Sequence, residues 1–272
     1  EDMSEADAID AVEHPLTMDD IVADCRALGV SPGDTLLVHA SLSSLGWVAG
    51  GPQAVVEGLQ RAVTPEGTLV VPAHTPQYLD PTEWNQPPVP DDWADTITEA
   101  RPPFRPEATP SRGVGAIPDT RRSAHPLYSV AAWGADAEAV TTDHSLDFGL
   151  GEGTPYSALY DRDASVLLLG VGHEANTSLH LAEHRADIAL GARERTAPVV
   201  RDGDRVVVSY EDFETSTEDF RAVEAAAAAI GVEGEAGLME LSFLPLEVIP
   251  EYRITNNGLV DVRTMEYVDV IA

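Results

Sequence analysis

The clearest chemical pattern in this 272-residue sequence is HLAEH at residues 180–184. Residues three and four apart share a helix face, so His180 would lie beside both Glu183 and His184. The pattern is either a plain pair of histidines on a helix surface or one of two functional sites. H-x-x-E-H is an inverted zinc-protease signature, which would supply two histidine ligands and a glutamate base. Alternatively, Glu183 orients His180, which then acts as a general base near neutral pH.

The residues just before this pattern favour a site at the end of a strand. SVLLLG at residues 165–170 is typical of a buried strand, and Asn176 or Thr177 caps the helix that follows. Open α/β sheets bind their ligands beyond the carboxyl ends of their strands. Thr177 lies three residues before His180 on the same predicted helix face, so we expect it in the site.

A second candidate follows the first predicted strand. HASLSSLGWVAGG at residues 39–51 is rich in Ser and Gly, which let backbone N–H groups approach a ligand. Pro52 then opens a helix, and a helix N-terminus favours anions. The segment is neither a G-x-G-x-x-G fingerprint nor a P-loop. It predicts a phosphate or cofactor contact, with an ordinary strand–helix connection as the alternative.

Two further segments carry charged side chains that could face a ligand. Residues 109–126 concentrate arginines in a chain where they are scarce, namely Arg112, Arg121 and Arg122. Guanidinium groups bind phosphate oxygens bidentately, so the cluster predicts either a phosphate site or an ion-paired structural cluster. Residues 145–160 are Gly-rich at their start and hold Asp147 and Glu152, which predicts a tight turn near the site.

Covalent catalysis has little support in the sequence. A serine nucleophile would need a strained strand-to-helix turn, and no G-x-S-x-G elbow is present. The single cysteine, Cys25, lies within a predicted helix that carries no site motif, which disfavours a reactive thiolate.

Alternating strands and helices must position these segments. Residues 35–40 and 68–73 are short apolar strands on either side of the helix that begins at Pro52, and a strand–helix–strand unit predicts a parallel pair. An acidic tail is expected over residues 1–16, ahead of a helix that starts at Thr17. One domain is expected over residues 17–272.

The second half of the chain predicts fewer regular elements. Nine prolines interrupt residues 75–110, which predicts a long loop or lid, and its aromatic residues (Trp84, Trp93 and Phe104) favour packing. Residues 197–210 predict a hairpin that turns at Asp202 and Gly203. Helices are predicted over residues 216–230 and 260–271.

The charge of the chain excludes several classes of partner. There are 47 acidic residues against 16 basic ones, all of them Arg, so the formal net charge is −31. Nucleic-acid binding needs a basic face, and an anionic membrane would repel this chain. No apolar run approaches the roughly 20 residues that span a bilayer. With an acidic N-terminus and a single cysteine, we expect a soluble cytoplasmic protein without an internal disulfide.

The acidity itself requires an explanation. At ordinary salt, so much net charge would weaken the compact state by self-repulsion. At molar salt the Debye length is about 3 Å, and the repulsion is screened. The hypothesis is a halophilic protein that works in a high-salt cytoplasm, with an acidic protein at ordinary salt as the alternative.

Six segments together resemble the aminoglycoside N3-acetyltransferase family, the acetyl-CoA-dependent antibiotic acetyltransferases. They occur in the family's order and cover roughly residues 18–190: VHASLSSLGWVAGGPQAVVEGL, GTLVVPAHT, DPTEWNQPPVPDDW, RSAHPLYSVAAWG, SLDFGLGEGTPYSALY and VLLLGVGHEANTSLHLAEHRA. The resemblance implies an α/β fold, a three-layer α/β/α sandwich with a mixed central sheet. It also implies acetyl-CoA as cosubstrate, an amine as acceptor, no metal, and a homodimer. Residues 190–272 would shape the acceptor pocket.

The resemblance also implies roles for individual residues. His180 would be the catalytic base, with Glu183 as its carboxylate partner. Thr177, which shares their predicted helix face, is assigned to the catalytic site with them. The acetyl-CoA side would be formed by His39, Ser41, Leu42, Ser43, Ser44, Gly50, Gly51, Thr109 and Arg112. The acceptor side would include His125, Asp147 and Glu152. His184 would then be a surface residue.

The predicted reaction is direct acetyl transfer to the 3-amino group of an aminoglycoside. The alternative is the same chemistry on a different amine, such as a metabolite or a nucleotide-linked amine. A non-catalytic CoA-binding protein and the zinc hydrolase suggested by HLAEH are the remaining alternatives.

Overall fold

The computed structural model describes residue 9, residues 12–84, 87–111, 119–185, 190–214, 217 and 220, and the backbone of residues 241–245, 252–255, 258–261 and 267–268. In this part of the chain the helices are α1 Met18–Ala27, α2 Gly51–Val63, α3 Ala94–Ala100, α4 Ala137–Thr141, α5 Pro155–Tyr160 and α6 Leu179–Arg185. The strands are β1 Thr35–Ala40, β2 Thr68–Pro72, β3 Arg121–Arg122, β4 Val130–Gly134, β5 Ser165–Leu169, β6 Ala192–Arg201, β7 Asp204–Phe213, β8 Leu241–Pro245, β9 Tyr252–Thr255, β10 Gly258–Asp261 and β11 Tyr267–Val268.

A mixed sheet forms the centre of the molecule, with strand order β3-β4-β2-β1-β5-β8. β1 lies between β2 and β5 and is parallel to both, so the predicted strand–helix–strand unit is confirmed. β4 is antiparallel to β2, and β8 is antiparallel to β5. The carboxyl ends of β1, β2 and β5 therefore meet at one edge of the sheet, where the chain also enters β4.

Helices cover both faces of this sheet. Side chains alternate along β1, so Leu36 packs in the core beneath α1 and α2, whereas Leu37 packs in the core beneath α4, α5 and α6. The predicted α/β sandwich with a mixed central sheet is confirmed. Every helix in the described residues is too short or too polar to cross a membrane.

The folded body begins slightly earlier than the sequence predicted. Thr17 caps α1 as expected, through a reciprocal capping box with Asp20. Leu16, which we assigned to the acidic tail of residues 1–16, is buried and exchanges backbone hydrogen bonds with Trp47 and Ala49. The boundary at residue 16 was therefore wrong, because an apolar side chain ahead of the cap packs into the core.

The predicted lid over residues 75–110 is an ordered segment docked on the β6–β7 hairpin. In its described residues, 75–84 and 87–110, it contains three turns of 3-10 helix and α3. The Phe104 N–H donates to the Pro198 carbonyl at 2.8 Å, and the Phe104 side chain is buried. Glu83 accepts hydrogen bonds from Arg193 and Arg195 of β6. Trp93, by contrast, is 56% exposed, so its predicted packing was wrong.

The hairpin is longer than predicted, and the C-terminal prediction fails. β6 and β7 pair from Ala192↔Phe213 to Arg201↔Asp204 around a turn with positive φ at Asp202 and Gly203. β10 and β11 form an antiparallel pair, so residues 260–261 and 267–268 lie in strands where we predicted a helix over residues 260–271. Valines and polar residues form only a short run there, and a run of this length fits a strand as well as a helix. Of the helix predicted over residues 216–230, only residues 217 and 220 lie in the described part.

Candidate active site

Chemistry-bearing residues gather at the edge of the sheet where β1, β2 and β5 end. The segments that leave these strands carry Ser41, His74 and His180, and the segment that enters β4 carries His125 and Tyr128. This is the edge at which α/β sheets bind their ligands. Residues far apart in sequence thus meet because their strands are neighbours in the sheet.

α6 carries the central pair of side chains. The Nδ1 of His180 lies 2.6 Å from the Oε2 of Glu183, one turn along the helix. The His180 side chain is only 5% exposed and the Glu183 side chain 21%. A carboxylate only accepts hydrogen bonds, so the Nδ1–H of His180 donates to it and Nε2 keeps its lone pair. Nε2 is therefore the atom that can take a proton.

A second histidine at this edge, His74, contacts a buried tyrosine of α5. The Tyr156 hydroxyl lies 3.2 Å from the Nε2 of His74. Burial raises the pKa of Tyr156 and lowers the pKa of His74 to about 4, so both are neutral at neutral pH.

Sequence reasoning did not single out His74 or Tyr156. His74 follows the apolar strand TLVVP, and its position after a strand parallel to β1 was the available signal. Tyr156 lies in α5 and is fully buried. A buried tyrosine is assigned to the hydrophobic core unless the partners of its hydroxyl are known.

Other histidines near this edge are held neutral by burial. The pKa of His39 falls to about 3, and the pKa values of His144 and His184 fall to about 4. His39 is buried in β1, and the neighbouring His74 and His173 further disfavour a charge on its ring. His184, which we placed on the surface, packs between Phe148 and Phe213, so that prediction was wrong. The short loop at Gly151 leaves room for its ring.

His125 has no free ring atom to offer a substrate. Its Nδ1 accepts from the backbone N–H groups of Leu127 and Tyr128, at 3.1 and 2.9 Å. Its Nε2–H donates to the Leu146 carbonyl at 3.1 Å, and the residue has no exposed surface. The expected acceptor contact is therefore replaced by a structural role, in which His125 holds the chain that enters β4.

The Ser- and Gly-rich loop lies beside the end of β5. The Ser41 N–H donates to the Leu169 carbonyl at 2.9 Å, and residues Leu42–Leu45 form a 3-10 turn. The hydroxyls of Ser43 and Ser44 both contact that of Ser41, at 3.1 and 3.0 Å. Leu42 is exposed. The loop then reaches Gly50 and Gly51, whose positive φ angles open α2.

The described arginines of residues 109–126 form hydrogen bonds and ion pairs within the protein. Arg122 donates to the Ala73 carbonyl at 2.6 Å, to the Ser129 hydroxyl at 2.9 Å and to the Thr109 carbonyl. Arg121 pairs with Glu138 of α4 at 3.2 Å. A cleft of about 780 Å³ adjoins them and is lined in part by Thr109. Arg112 lies outside the described residues.

Asp147 and Glu152 also have partners within the chain. The Asp147 carboxylate accepts the Glu211 N–H of β7 at 2.8 Å. Glu152 forms a two-pronged pair with Arg185 of α6, at 2.6 and 3.2 Å. Both residues are exposed, so the structure brings them to the surface around α6 rather than into contact with His180.

The zinc interpretation of HLAEH finds no third ligand here. In the part of the chain that the structure describes, no group of three His, Cys, Asp or Glu side chains is arranged to hold a metal ion. Glu183 is bonded to His180, and the His184 ring packs on aromatic neighbours.

Comparison with known proteins assigns the family. Residues 37–252 match the family described as "Aminoglycoside 3-N-acetyltransferase". The SPbeta prophage-derived aminoglycoside N(3')-acetyltransferase-like protein YokD of Bacillus subtilis is 38% identical over 268 residues, 94% of this chain and 98% of its own. The aminoglycoside N(3)-acetyltransferase VII of Streptomyces paromomycinus is 34% identical over 86% of this chain and 89% of its own.

Solved structures agree with this assignment. The crystal structure of YokD superposes with a TM-score of 0.85 at 38% identity, over 90% of this chain and 94% of its own. The complex of AAC-IIIb with CoASH superposes with a TM-score of 0.76 at 29% identity, over 87% of this chain and 94% of its own. The chain therefore belongs to the aminoglycoside 3-N-acetyltransferase family, a family of enzymes whose acetyl donor is acetyl-CoA.

Proposed function

We propose that this protein transfers acetyl from acetyl-CoA to the 3-amino group of an aminoglycoside by direct attack of the amine. The observation that carries the proposal is the His180–Glu183 pair, which leaves one imidazole nitrogen with a free lone pair at the ligand-binding edge of the sheet. No cysteine nucleophile is needed for direct transfer, and Cys25 is buried in α1.

The proton balance of the reaction follows from this pair. The neutral amine attacks the thioester carbonyl, and His180 Nε2 takes a proton from the nitrogen as the C–N bond forms. Glu183 stabilises the resulting imidazolium. When the C–S bond breaks, the imidazolium returns the proton to the CoA thiolate. General-base help of this kind contributes about 10²–10⁴-fold.

The tetrahedral intermediate needs a hydrogen-bond donor for its oxyanion. We assign this role to the Thr177 hydroxyl, because Thr177 is half-buried and precedes His180 by three residues. The pantetheine and phosphates of acetyl-CoA are assigned to the loop of residues 41–51, with Thr109 and Arg112 near the phosphates. These contacts should contribute strongly to the binding of acetyl-CoA, because the cosubstrate is an anion and the protein has a net charge of −31.

The proposal is tested by following thiol release from acetyl-CoA with a panel of aminoglycosides in molar KCl. We expect turnover by the wild type, and a loss of about 10²–10⁴-fold in kcat for His180→Ala. Glu183→Gln should also lower kcat, because an amide cannot stabilise the imidazolium. His14→Ala replaces an exposed histidine outside the site and serves as the matched control. Equal rates for wild type and His180→Ala would exclude His180 as the base.

A different amine is the second candidate acceptor. The relative that is 38% identical is itself described only as acetyltransferase-like. Product identification by mass spectrometry decides between the two: acetylation of a metabolite amine, together with no turnover of any aminoglycoside, selects this candidate.

A further inference from the structure

An aromatic side chain packs against the ring of the proposed catalytic base. The ring centroids of Phe220 and His180 lie 4.8 Å apart, and the two planes are inclined by 55°. Phe220 is 1% exposed and the His180 side chain 5% exposed, so bulk water is excluded from this contact. Phe220 also belongs to the hydrophobic core that contains Leu179 and Leu181 of α6. The contact is therefore part of the packing that fixes α6.

The hydrogen bond to Glu183 restrains only one edge of the imidazole. Nδ1 is held 2.6 Å from the carboxylate, but the torsion that turns a histidine ring about its bond to Cβ is broad. The Phe220 ring restricts this rotation, because it packs against the imidazole. Glu183 and Phe220 thus set the direction of the Nε2 lone pair together. This direction matters because a general base must lie within hydrogen-bond reach of the proton that it takes.

The same contact acts on the charge that forms during the reaction. In the proposed transfer, His180 takes a proton from the amine and becomes an imidazolium. A phenyl ring attracts a cation that lies near its face and within about 6 Å of its centroid, and the attraction is largest where water is excluded. A neutral imidazole gains no such attraction. The stabilisation therefore favours the transition state over the bound substrates, which is the condition for a faster reaction.

We propose that Phe220 is a positioning residue of the acetyl transfer. It holds the His180 ring in its working orientation and stabilises the imidazolium form of that ring. The proposal rests on the acetyl transfer proposed above. It adds a third side chain to the His180–Glu183 pair, from the segment that follows the β6–β7 hairpin.

Helix α6 carries a second contact between a histidine and a phenylalanine, with nearly the same geometry. The ring centroids of His184 and Phe213 lie 4.6 Å apart, and the planes are inclined by 56°. Burial lowers the pKa of His184 to about 4, so this ring is neutral at neutral pH, and no step of the proposed reaction uses it. Replacements at Phe213 are therefore the matched control for replacements at Phe220.

Graded fluorination of Phe220 tests the proposal. Site-specific incorporation of monofluoro-, difluoro- and trifluorophenylalanine withdraws electrons from the ring and nearly keeps its shape. We expect the single-turnover rate constant of acetyl transfer to fall in steps, by about tenfold for the trifluoro ring, with an unchanged Kd for acetyl-CoA. The same replacements at Phe213 should leave the rate constant at the wild-type level. A flat series at Phe220, or an equal decline at Phe213, would overturn the proposal.

Leucine replacements test the restraint on the ring. Phe220→Leu keeps an apolar side chain in the core but removes the flat surface, so the rate constant should fall by more than in the trifluoro variant. Phe213→Leu removes a comparable aromatic contact beside His184 and should keep most of the wild-type rate. Equal rate constants in the two leucine variants, at equal melting temperatures, would contradict the positioning role.

Proton NMR of the histidine rings tests the contact without any turnover. The resonances lost in His180→Gln identify the His180 ring, and the ring current of Phe220 contributes to their chemical shifts. We expect these resonances to shift in Phe220→Leu and to stay in place in Phe213→Leu. Unchanged positions in Phe220→Leu would overturn the contact. If the wild type acetylates no amine, the proposed function itself fails, whereas an active enzyme that is insensitive to fluorination contradicts only the role of Phe220.

Discussion

Acid should destabilise this protein through His144, whose hydrogen bonds are fitted to the neutral ring. Its Nε2 lies 2.8 Å from the Gly149 carbonyl, which can only accept, so Nε2 carries the proton. Its Nδ1 lies 2.8 Å from the Ser123 hydroxyl, and Ser123 already accepts the Val130 N–H. Nδ1 of this neutral ring carries a lone pair, so the Ser123 hydroxyl donates to it. Protonation of Nδ1 would remove this acceptor and place a charge in a buried site.

The size of the effect follows from the shift in pKa. Burial lowers the pKa of His144 from 6.5 to about 4. Because the folded-state pKa is the lower one, the stabilisation is complete above the unfolded-state value of 6.5 and is lost as the pH falls from there toward 4. At 1.36 kcal/mol per unit, the step from pH 7 to pH 5 removes about 2 kcal/mol of unfolding free energy.

The variant His144→Gln isolates this contribution. Glutamine can still donate to the Gly149 carbonyl but does not titrate, so its loss of stability between pH 7 and pH 5 should be about 2 kcal/mol smaller than in wild type. Urea unfolding, followed by tryptophan fluorescence in molar KCl at both pH values, measures the difference. His14→Gln, at an exposed histidine, should behave as wild type. An unchanged pH dependence in His144→Gln would refute the reasoning.

Three other perturbations have defined outcomes. Arg195→Met leaves the Asp212 carboxylate buried without its cation and should lower the free energy of unfolding in urea by about 3–5 kcal/mol. Arg61→Met, at an exposed ion pair, is the control, and a smaller loss in Arg195→Met than in this control would contradict the prediction. Gly149→Ala places a Cβ 2.5 Å from the His125 Nε2 and should cost about 1–3 kcal/mol in the same assay; full stability would mean that the ring can shift. For the net charge of −31, we propose adaptation to high salt, so the melting temperature should rise from dilute buffer to molar KCl, and a flat or falling value would reject the idea.

Local patterns predicted the elements that depend on neighbours in sequence. The helix start at Thr17 and the turn at Asp202 follow from residues a few positions apart, and the parallel pairing of β1 and β2 follows from the strand–helix–strand order of residues 35–73. The C-terminal segment failed because a short run of valines and polar residues fits both helical and strand periods, and only pairing between β10 and β11 decides between them.

For the site, the sequence by itself determined the His180–Glu183 pair, because a spacing of three residues on a helix brings the two side chains together. The tertiary structure decided the rest. It buried His125 and used both of its ring nitrogens, bound Arg122 to backbone carbonyls, and brought His74 to Tyr156. His74 and Tyr156 are 82 residues apart in the chain, and their contact depends on the strand order β2-β1-β5 and on how α5 packs against the sheet. No local sequence pattern predicts a contact of this kind, because it depends on which apolar faces of the helices and the sheet pack against each other.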